Sequence, residues 1–271
     1  MQGQSLRLNL MAGRANYSGE IQPKTFTLDQ SNGAYGAGAS LDLSGRVVLR
    51  GEYLFTQLGA DDKLSSRPGY VRRNLNFKTY IREVNLVGEY NLRNSYEHKL
   101  VPYVFGGVGI FRFSPYTTDS VYGKQYLAGL NTEGQGLAEF PDRKPYKTTQ
   151  LNIPFGGGVK YFVSDDVNFS FEMGFRALFT DYLDDVSTTY VDEATLLNAR
   201  GPVAVALAFR GDELKNNPQQ YPRAGAQRGS PKAKDYYYYG LIKLGIRINS
   251  FDKGNGQGGR RGKLDCPPRV L

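Results

Sequence analysis

The chain has 271 residues, with 34 Lys and Arg against 26 Asp and Glu, a formal net charge of +8 and a pI of about 9.4. Its one cysteine, Cys266, and its one histidine, His98, exclude an internal disulfide framework, a cysteine-based zinc site and most histidine-dependent chemistry. The positive charge suits an anionic partner such as lipid phosphate, nucleic acid or an acidic protein.

The residue types and the length favour an all-β chain. With 20 Tyr, 15 Phe and 33 Gly but no Trp, strands and turns are favoured over helices. The length suits one all-β domain or two ordinary domains, and no apolar run approaches the roughly 20 residues of a membrane helix. The first residues, MQGQSLRLNL, lack the features of a secretory signal. We therefore expect either a cytoplasmic protein or a chain numbered from its processed form.

Alternation of apolar and polar residues predicts eight strands. In chain order they are 5–17, 35–43, 47–55, 77–92, 100–113, 150–161, 168–180 and 236–249. The seventh is the clearest, because every second residue from Phe169 to Phe179 is apolar. A strand with two such different faces separates an apolar from a polar environment.

The predicted connections alternate between short and long. Short turns are predicted at 44–45, 94–99 and 164–166, and long polar connections at 18–34, 58–76, 114–147 and 181–234. This asymmetry is typical of an up-and-down transmembrane barrel with tight periplasmic turns and long external loops.

The last connection is too long to be a plain loop. Its stretch EATLLNARGPVAVALAFRGDELK predicts short helices, broken at Gly201 and Pro202, on the barrel mouth. After Asn249 the chain is Gly-rich and basic, so we predict a barrel domain at 1–249 and a tail at 250–271. An even number of strands places this tail on the periplasmic side with the N-terminus.

The energetic cost of placing a charge in lipid predicts which face of each strand points into the barrel. An Arg or Lys facing lipid near the midplane costs roughly 2 to 4 kcal/mol, so charged strand residues are expected to face inward and to pair. They are Arg50, Glu52, Glu83, Glu89, Lys160, Glu172, Arg176 and Arg247. Eight strands leave room inside for side chains only, which predicts a plugged barrel without a pore.

Aromatic residues at the strand ends predict girdles at the two membrane interfaces. They are Phe111, Phe113, Tyr116, Tyr161, Phe162 and Tyr236 to Tyr239.

The segment FTDYLDDVSTTYVDEATLL is rich in carboxylates, namely Asp181, Asp184, Asp185 and Asp192. They offer hard oxygen ligands for calcium, but they lack the regular spacing and the glycine of a known calcium loop. In the alternative interpretation they accept hydrogen bonds from the loop backbone or pair with Arg200 or Arg210. The single histidine, His98, is predicted in a periplasmic turn, so a catalytic His–Asp pair is disfavoured.

The tail carries Arg260, Arg261, Lys263 and Arg269 beside Cys266. No aromatic stacking platform accompanies them, which disfavours nucleic acid. Solvated disorder and docking to a periplasmic protein both remain open. Cys266 either joins a partner by a disulfide in an oxidising compartment or is an idle thiol.

Four stretches together resemble the PorG family, small outer-membrane barrels of the Bacteroidetes type IX secretion and gliding machinery. They are LVPYVFGGVGIFRFSPY, NTEGQG, TTQLNIPFGGGVKYFVSDDVNFSFEMGFR and FTDYLDDVSTTYVD. The resemblance covers about 100–192, and the basic, cysteine-containing C-terminal segment is also similar. It implies a barrel over the periplasmic ring, in contact with the ring lipoprotein and the ring subunit. The signature residues of its external loop are Asp181, Tyr182, Asp184, Asp185 and Tyr190.

The expected fold is all-β, an OmpA-like, eight-stranded, antiparallel, up-and-down transmembrane β-barrel with a long last external loop and a basic periplasmic tail. The expected function is to anchor or position the periplasmic ring complex, without enzymatic activity, cofactor, metal or nucleic acid, and in contact with outer-membrane lipid or lipopolysaccharide. One alternative is a soluble lipocalin-like barrel around a small apolar ligand. An outer-membrane enzyme is disfavoured by the histidine count.

Overall fold

Eight long antiparallel strands close on themselves in the computed structural model, which describes residues 5–22, 24, 26–230 and 234–248. The strands are β1 (Ser5–Ser18), β2 (Asn32–Asp42), β3 (Val47–Asp61), β4 (Asn76–Asn91), β5 (Leu100–Arg112), β8 (Thr149–Phe162), β9 (Val167–Leu178) and β10 (Tyr236–Ile248). A hairpin of β6 (Tyr116–Asp119) and β7 (Gly123–Tyr126) extends the sheet beside β4.

Each long strand pairs with its neighbours in the chain, in the order β3-β2-β1-β10-β9-β8-β5-β4, and β3 pairs with β4 to close the ring. The first and last strands meet with Leu10 opposite Leu244. The prediction of an eight-stranded, antiparallel, up-and-down barrel is therefore confirmed. The predicted end of β3 was too early, because Gln57 and Gly59 interrupt the apolar row on one face while Leu58 and Ala60 continue the buried row on the other.

The two ends of the barrel differ in their connections. The turns 43–46, 92–99 and 163–166 form the short-turn end, and the segments 19–31, 62–75, 113–148 and 179–235 form the long-loop end. The long segments contain α1 (Pro68–Arg73), the β6–β7 hairpin, α2 (Glu193–Arg200) and α3 (Pro202–Ala208). In the described part of the chain, each helix is too short or too polar to cross a membrane.

The break between α2 and α3 lies where the sequence predicts it. Gly201 has φ +83°, a conformation that favours glycine, and Pro202 begins α3, where its missing N–H is not needed. Neither α1 nor the β6–β7 hairpin was predicted, because both are too short for a periodic pattern to develop.

The outer wall of the barrel is apolar. Every strand of the barrel contributes large exposed hydrophobic side chains to it, including Leu8, Leu10, Tyr35, Leu49, Tyr53, Val84, Leu86, Val104, Val108, Leu151, Phe155, Phe169, Phe171, Ile242 and Ile246. The charged faces of the same strands point inward. The soluble lipocalin-like alternative requires the opposite arrangement.

The girdle prediction is wrong for the five aromatic residues that face the barrel interior. Tyr116 and Tyr238 are also buried, at 7% and 3% exposure, and the five interior residues are Phe111, Phe113, Phe162, Tyr237 and Tyr239. They alternate in phase with inward residues of their strands, and that phase, not their position near a strand end, fixes their direction. Tyr161, in contrast, is exposed on the outer wall.

The apolar core lies inside the barrel toward the long-loop end. Aromatic rings pack there: Phe111 stacks on Phe113, two residues further along the chain, with 5.5 Å between the ring centroids, and meets Tyr237 of β10 edge-on at 5.8 Å. Leu183 and Val186 of the last long segment pack against this cluster. The last long segment is therefore seated in the barrel by hydrophobic burial.

Glycines of β8 allow the wall to pack against interior aromatic rings. A Cβ added at Gly158 would lie 2.4 Å from the Phe171 carbonyl oxygen and 2.7 Å from the Tyr103 ring. The missing side chain at Gly158 therefore makes room for a tyrosine ring and for the backbone of the neighbouring strand.

We expect Gly158→Ala to destabilise the barrel by about 1 to 3 kcal/mol, because the neighbouring backbone must shift. Gly106→Ala is the matched control, since a Cβ there would meet no atom within 4 Å. Urea unfolding of both variants in lipid vesicles measures the difference. Equal unfolding midpoints would contradict the packing argument.

Candidate functional site at the long-loop end

Inside the barrel, six charged side chains form one ion-pair cluster. Arg50 lies at its centre, with Nη1 2.7 Å from Glu172 Oε2 and 3.0 Å from Glu89 Oε2. Glu52, Lys160 and Lys243 complete the cluster, which therefore contains three cations and three carboxylates. The charges balance, as burial in a low-dielectric interior requires.

A second ion pair inside the barrel joins Arg176 and Glu83. Arg176 Nε donates to Glu83 Oε1 over 2.8 Å, and the Tyr237 hydroxyl donates to the other Glu83 oxygen over 3.0 Å. Arg247 does not join either group, because its Nη1 lies 3.8 Å from Asp166 at the short-turn end. Lys243 was missing from the predicted network, although its alternation with Arg247 already placed it on the inward face.

The short-turn end of the interior is closed by Arg7. Its Nε lies 3.1 Å from Asp42 Oδ2, and its Nη2 donates to the Asp165 carbonyl over 3.0 Å. Between Arg7 and Lys243 the interior leaves a cavity of about 20 Å³, which has room for about one water molecule. The described interior is thus filled by side chains.

The long-loop end is organised around one buried carboxylate, that of Glu133 in the NTEGQG stretch. Its Oε1 accepts from the backbone N–H of Ser187 over 2.9 Å, and its Oε2 accepts from that of Thr188 over 2.9 Å. The Thr188 hydroxyl and the Tyr182 hydroxyl donate to Oε2 over 2.6 and 3.2 Å. Glu133 therefore fixes the last long segment to the third.

Arg228 neutralises Glu133 from the other side. Its Nη1 donates to Glu133 Oε1 over 2.8 Å and also to the Asp185 carbonyl, while its Nε donates to the Ala208 carbonyl over 3.1 Å. Its Nη2 lies 3.8 Å from Asp185 Oδ2. This fully buried guanidinium connects α3 with both halves of the last segment.

A second buried arginine, Arg73 at the end of α1, connects the remaining loops. It forms a two-bond pair with Asp62, at 2.8 and 2.9 Å, and donates to the Arg228 carbonyl over 2.6 Å and the Glu20 carbonyl over 3.2 Å. All four long segments therefore meet in one hydrogen-bonded plug, which we call the mouth plug: residues 20, 62, 73, 133, 181–188, 228 and 235.

The signature residues predicted for the external loop lie within or against this plug. Asp184 accepts from the Tyr17 hydroxyl over 2.6 Å, and Asp181 accepts from the Ser187 hydroxyl over 2.7 Å. Tyr182 reaches Glu133, and Tyr190 is buried beside α3 against Phe209, with 6.0 Å between the ring centroids.

The predicted partners of the acidic segment, Arg200 and Arg210, are wrong. Arg200 donates to the Gln135 carbonyl over 2.7 Å, and Arg210 pairs with Glu213 over 2.6 Å. The basic partner of Asp185 is instead Arg228, which no spacing rule connects with it. Asp192 also lies apart, as the N-cap of α2.

The remaining predicted residues lie away from the plug. His98 lies in the turn after β4 at the short-turn end. Arg260, Arg261, Lys263, Cys266 and Arg269 lie outside the described residues. Sequence reasoning assigned no role to Glu133, Arg228 and Arg73, although Glu133 stands in a stretch that carried the family resemblance.

Burial raises the pKa of titratable side chains in the mouth plug. Burial raises the pKa of Asp185 from 3.8 to about 6, although Arg228, Thr132 and Tyr146 act in the opposite direction. Burial also raises the pKa of Tyr182 to about 12, and Glu133 adds to this effect. Because the pKa of Asp185 is raised, its contribution to stability is complete below its ordinary pKa and is lost as the pH rises through 6.

We expect Glu133→Ala to open the mouth plug while the barrel strands remain folded, because Arg228 then loses its nearest carboxylate and keeps only Asp185, 3.8 Å away. Breaking such a pair costs about 3 to 5 kcal/mol. Hydrogen exchange of 181–188 measures the opening, and exchange of β4 serves as the internal reference. The double variant Glu133→Gln with Arg228→Leu should exchange more slowly than Glu133→Ala; faster exchange would contradict the pairing.

The chain is similar to the crystal structure of Neisserial surface protein A, with a TM-score of 0.44, 10% identity and coverage of 91% of this chain and 100% of that one. It is also similar to Ail, the attachment invasion locus protein of Yersinia pestis, solved with the heparin analogue sucrose octasulfate, with a TM-score of 0.43, 9% identity and coverage of 92% and 100%.

A third solved structure is the outer membrane protein OprG from Pseudomonas aeruginosa, with a TM-score of 0.42, 8% identity and coverage of 92% of this chain and 97% of that one. A search of curated proteins gave no match. The sequence profile described as Domain of unknown function (DUF6089) matches residues 1–198. The chain belongs to the DUF6089 family.

Proposed function

We propose that the protein is a non-enzymatic, non-conducting outer-membrane barrel that anchors or positions the periplasmic ring complex of a type IX protein secretion system. The observation that carries this proposal is the polarity of the barrel. Its outer wall is apolar, its interior is filled by balanced ion pairs, and both ends are closed by side chains.

An apolar outer wall supports a position in a membrane. In water, a belt of exposed Leu, Val, Ile and Phe around a whole barrel would be a large aggregation surface. In lipid the same belt is solvated, and the closed ring of strands satisfies the backbone hydrogen bonds. By the general rule for such barrels, the long-loop end is external and the short-turn end is periplasmic.

The filled interior supports a structural role and argues against conduction. The six-membered cluster around Arg50 occupies the cross-section, and the remaining cavity of about 20 Å³ has no room for a hydrated solute. Moving one member aside would leave its partners buried and uncompensated, at a cost of several kcal/mol. The barrel is therefore a rigid body suited to holding a position.

The choice of the secretion system rests on the four stretches that resemble the PorG family. Residues of two of these stretches, Glu133 and Asp185, are occupied inside the mouth plug. These residues are thus not available for a periplasmic partner. We assign docking of the ring lipoprotein and ring subunit to the short-turn end and the tail, through Arg260, Arg261, Lys263, Cys266 and Arg269.

We also assign outer-leaflet lipid phosphate, as in lipopolysaccharide, to the external edge of the apolar belt. Arg82 and Arg112 are directly paired across β4 and β5, both are exposed, and neither forms an ion pair with a described residue. Like charges directly opposite each other are unfavourable in a sheet. A shared phosphate group between the two guanidinium groups would remove this repulsion and add charge-assisted hydrogen bonds.

We expect Leu86→Arg to impair insertion into vesicles, at a cost of about 2 to 4 kcal/mol, because it places a charge on the lipid face. The side chain of Leu86 is 52% exposed on the outer wall. Val121→Arg, in the hairpin at the long-loop end where Val121 is 79% exposed, is the matched control and should insert normally. Heat-modifiable gel mobility measures insertion. Equal insertion of the two variants would contradict the membrane assignment.

Deletion of 250–271 is expected to leave the barrel inserted and to abolish co-purification of ring proteins in mild detergent. The triple variant Arg260→Gln, Arg261→Gln and Lys263→Gln should weaken the co-purification of ring proteins, because it removes positive charges that attract an acidic partner surface. The control removes basic residues from the opposite side, as Lys144→Gln with Lys147→Gln. Ring proteins retained on the deleted chain would refute docking through the tail.

A further inference from the structure

Four buried carboxylates converge at one side of the mouth plug. They belong to Glu20 in the first long segment, to Asp181 and Asp184 at the start of the last one, and to Asp235 at its end, directly before β10. One carboxylate oxygen from each of Glu20, Asp181 and Asp235 lies within 4.8 Å of the others. Oxygens at such separations can all contact one cation at the distances of about 2.4 Å that calcium prefers.

The four carboxylates differ in how many of their oxygens accept hydrogen bonds. Asp184 receives hydrogen bonds on both oxygens, from the Tyr17 hydroxyl and the Val186 backbone. Asp235 accepts from the Leu183 backbone over 2.9 Å on Oδ2, and its Oδ1 lies 3.1 Å from the Tyr17 hydroxyl oxygen, which donates its one proton to the nearer Asp184. These two side chains are held in place by the protein itself.

Glu20 and Asp181 differ, because each has one oxygen in use and one without a partner. Glu20 Oε1 accepts from the Ser230 backbone over 3.2 Å and Asp181 Oδ2 from Ser187 over 2.7 Å. Glu20 Oε2 and Asp181 Oδ1 are buried and have no hydrogen-bond partner among the described residues, and their side chains belong to residues that are 8% and 3% exposed. A buried carboxylate oxygen left unpaired is costly, and native proteins normally satisfy it.

The positive charges near the cluster are mostly committed elsewhere. Arg73 pairs with Asp62 and Arg228 pairs with Glu133. Lys234 acts favourably on Asp181, but burial outweighs it and raises the pKa of Asp181 to about 6.

The backbone leaves room for this convergence at Gly19. A Cβ added there would lie 2.0 Å from Asp235 Oδ1 and 2.0 Å from the Tyr17 hydroxyl oxygen. A larger residue would therefore push Asp235 out of the cluster. The close approach of the first long segment to Asp235 depends on this glycine.

We infer that Glu20, Asp181 and Asp235 form a calcium site that ties the first long segment to both ends of the last one. Glu20 Oε2 and Asp181 Oδ1 are the free ligands, and Asp235 is pre-positioned by Leu183. Calcium suits the site because it accepts hard oxygen ligands in irregular geometry, whereas magnesium demands near-ideal octahedral geometry. The bound ion offsets two of the negative charges in the cluster and locks the mouth plug. This inference is independent of the secretion role.

The test uses the full chain in lipid nanodiscs after treatment with a chelator. Titration calorimetry with CaCl₂ should give one site per chain, and added calcium should slow proteolysis within 179–235. Glu20→Gln and Asp181→Asn should each weaken calcium binding at least tenfold. Asp142→Asn, an exposed carboxylate of the third long segment, is the control and should bind like the parent chain.

Heat-modifiable gel mobility establishes that each variant contains a folded barrel, so a loss of binding cannot be confused with misfolding. Absence of calcium binding at millimolar concentration would overturn the inference, because the four acids would then be held by protons. Binding that Glu20→Gln and Asp181→Asn leave unchanged would overturn it as well. Magnesium binding in the absence of calcium binding would overturn the assignment of the ion.

Discussion

The pairing of buried charges is the interaction on which the rest of the structure depends. An eight-stranded barrel with an apolar outer wall has one place for its charged strand residues, which is the narrow interior. There Arg50, Lys243 and Lys160 face Glu52, Glu89 and Glu172, and the cluster is neutral as a whole. Each of these charges loses its hydration on burial, and the opposite charges around it offset that loss.

The same principle organises the long-loop end, where there is no strand ladder to satisfy the backbone. Glu133 accepts from the backbone of the last segment, and Arg228 and Arg73 donate to carbonyl oxygens of the neighbouring loops. Loops of this length usually lie free on the surface. Here buried charges hold them as a plug, and apolar side chains such as Leu183 anchor the plug in the barrel core.

Charge pairs fill the barrel interior, the short-turn end and the mouth plug, and such a closed barrel is suited to a mechanical role. Its described interior is filled by side chains, and its signature acidic residues are turned inward, where they maintain the plug. The accessible surfaces include an apolar belt, a pair of basic residues at the edge of that belt, and the short-turn end. Each of these surfaces matches the chemistry of a membrane or of an assembly beneath it, which is the basis of the proposed anchoring function.

The sequence alone determined the strands, their inward and outward faces and the closed eight-stranded barrel, because a strand between lipid and a polar interior must alternate with period two. It also predicted the break at Gly201 and Pro202. Only the tertiary structure decided which loop residues meet. The pair of Glu133 and Arg228 and the convergence of Glu20 with Asp181 and Asp235 join segments far apart in the chain. Such contacts have no period, since they depend on how loops fold back over the barrel.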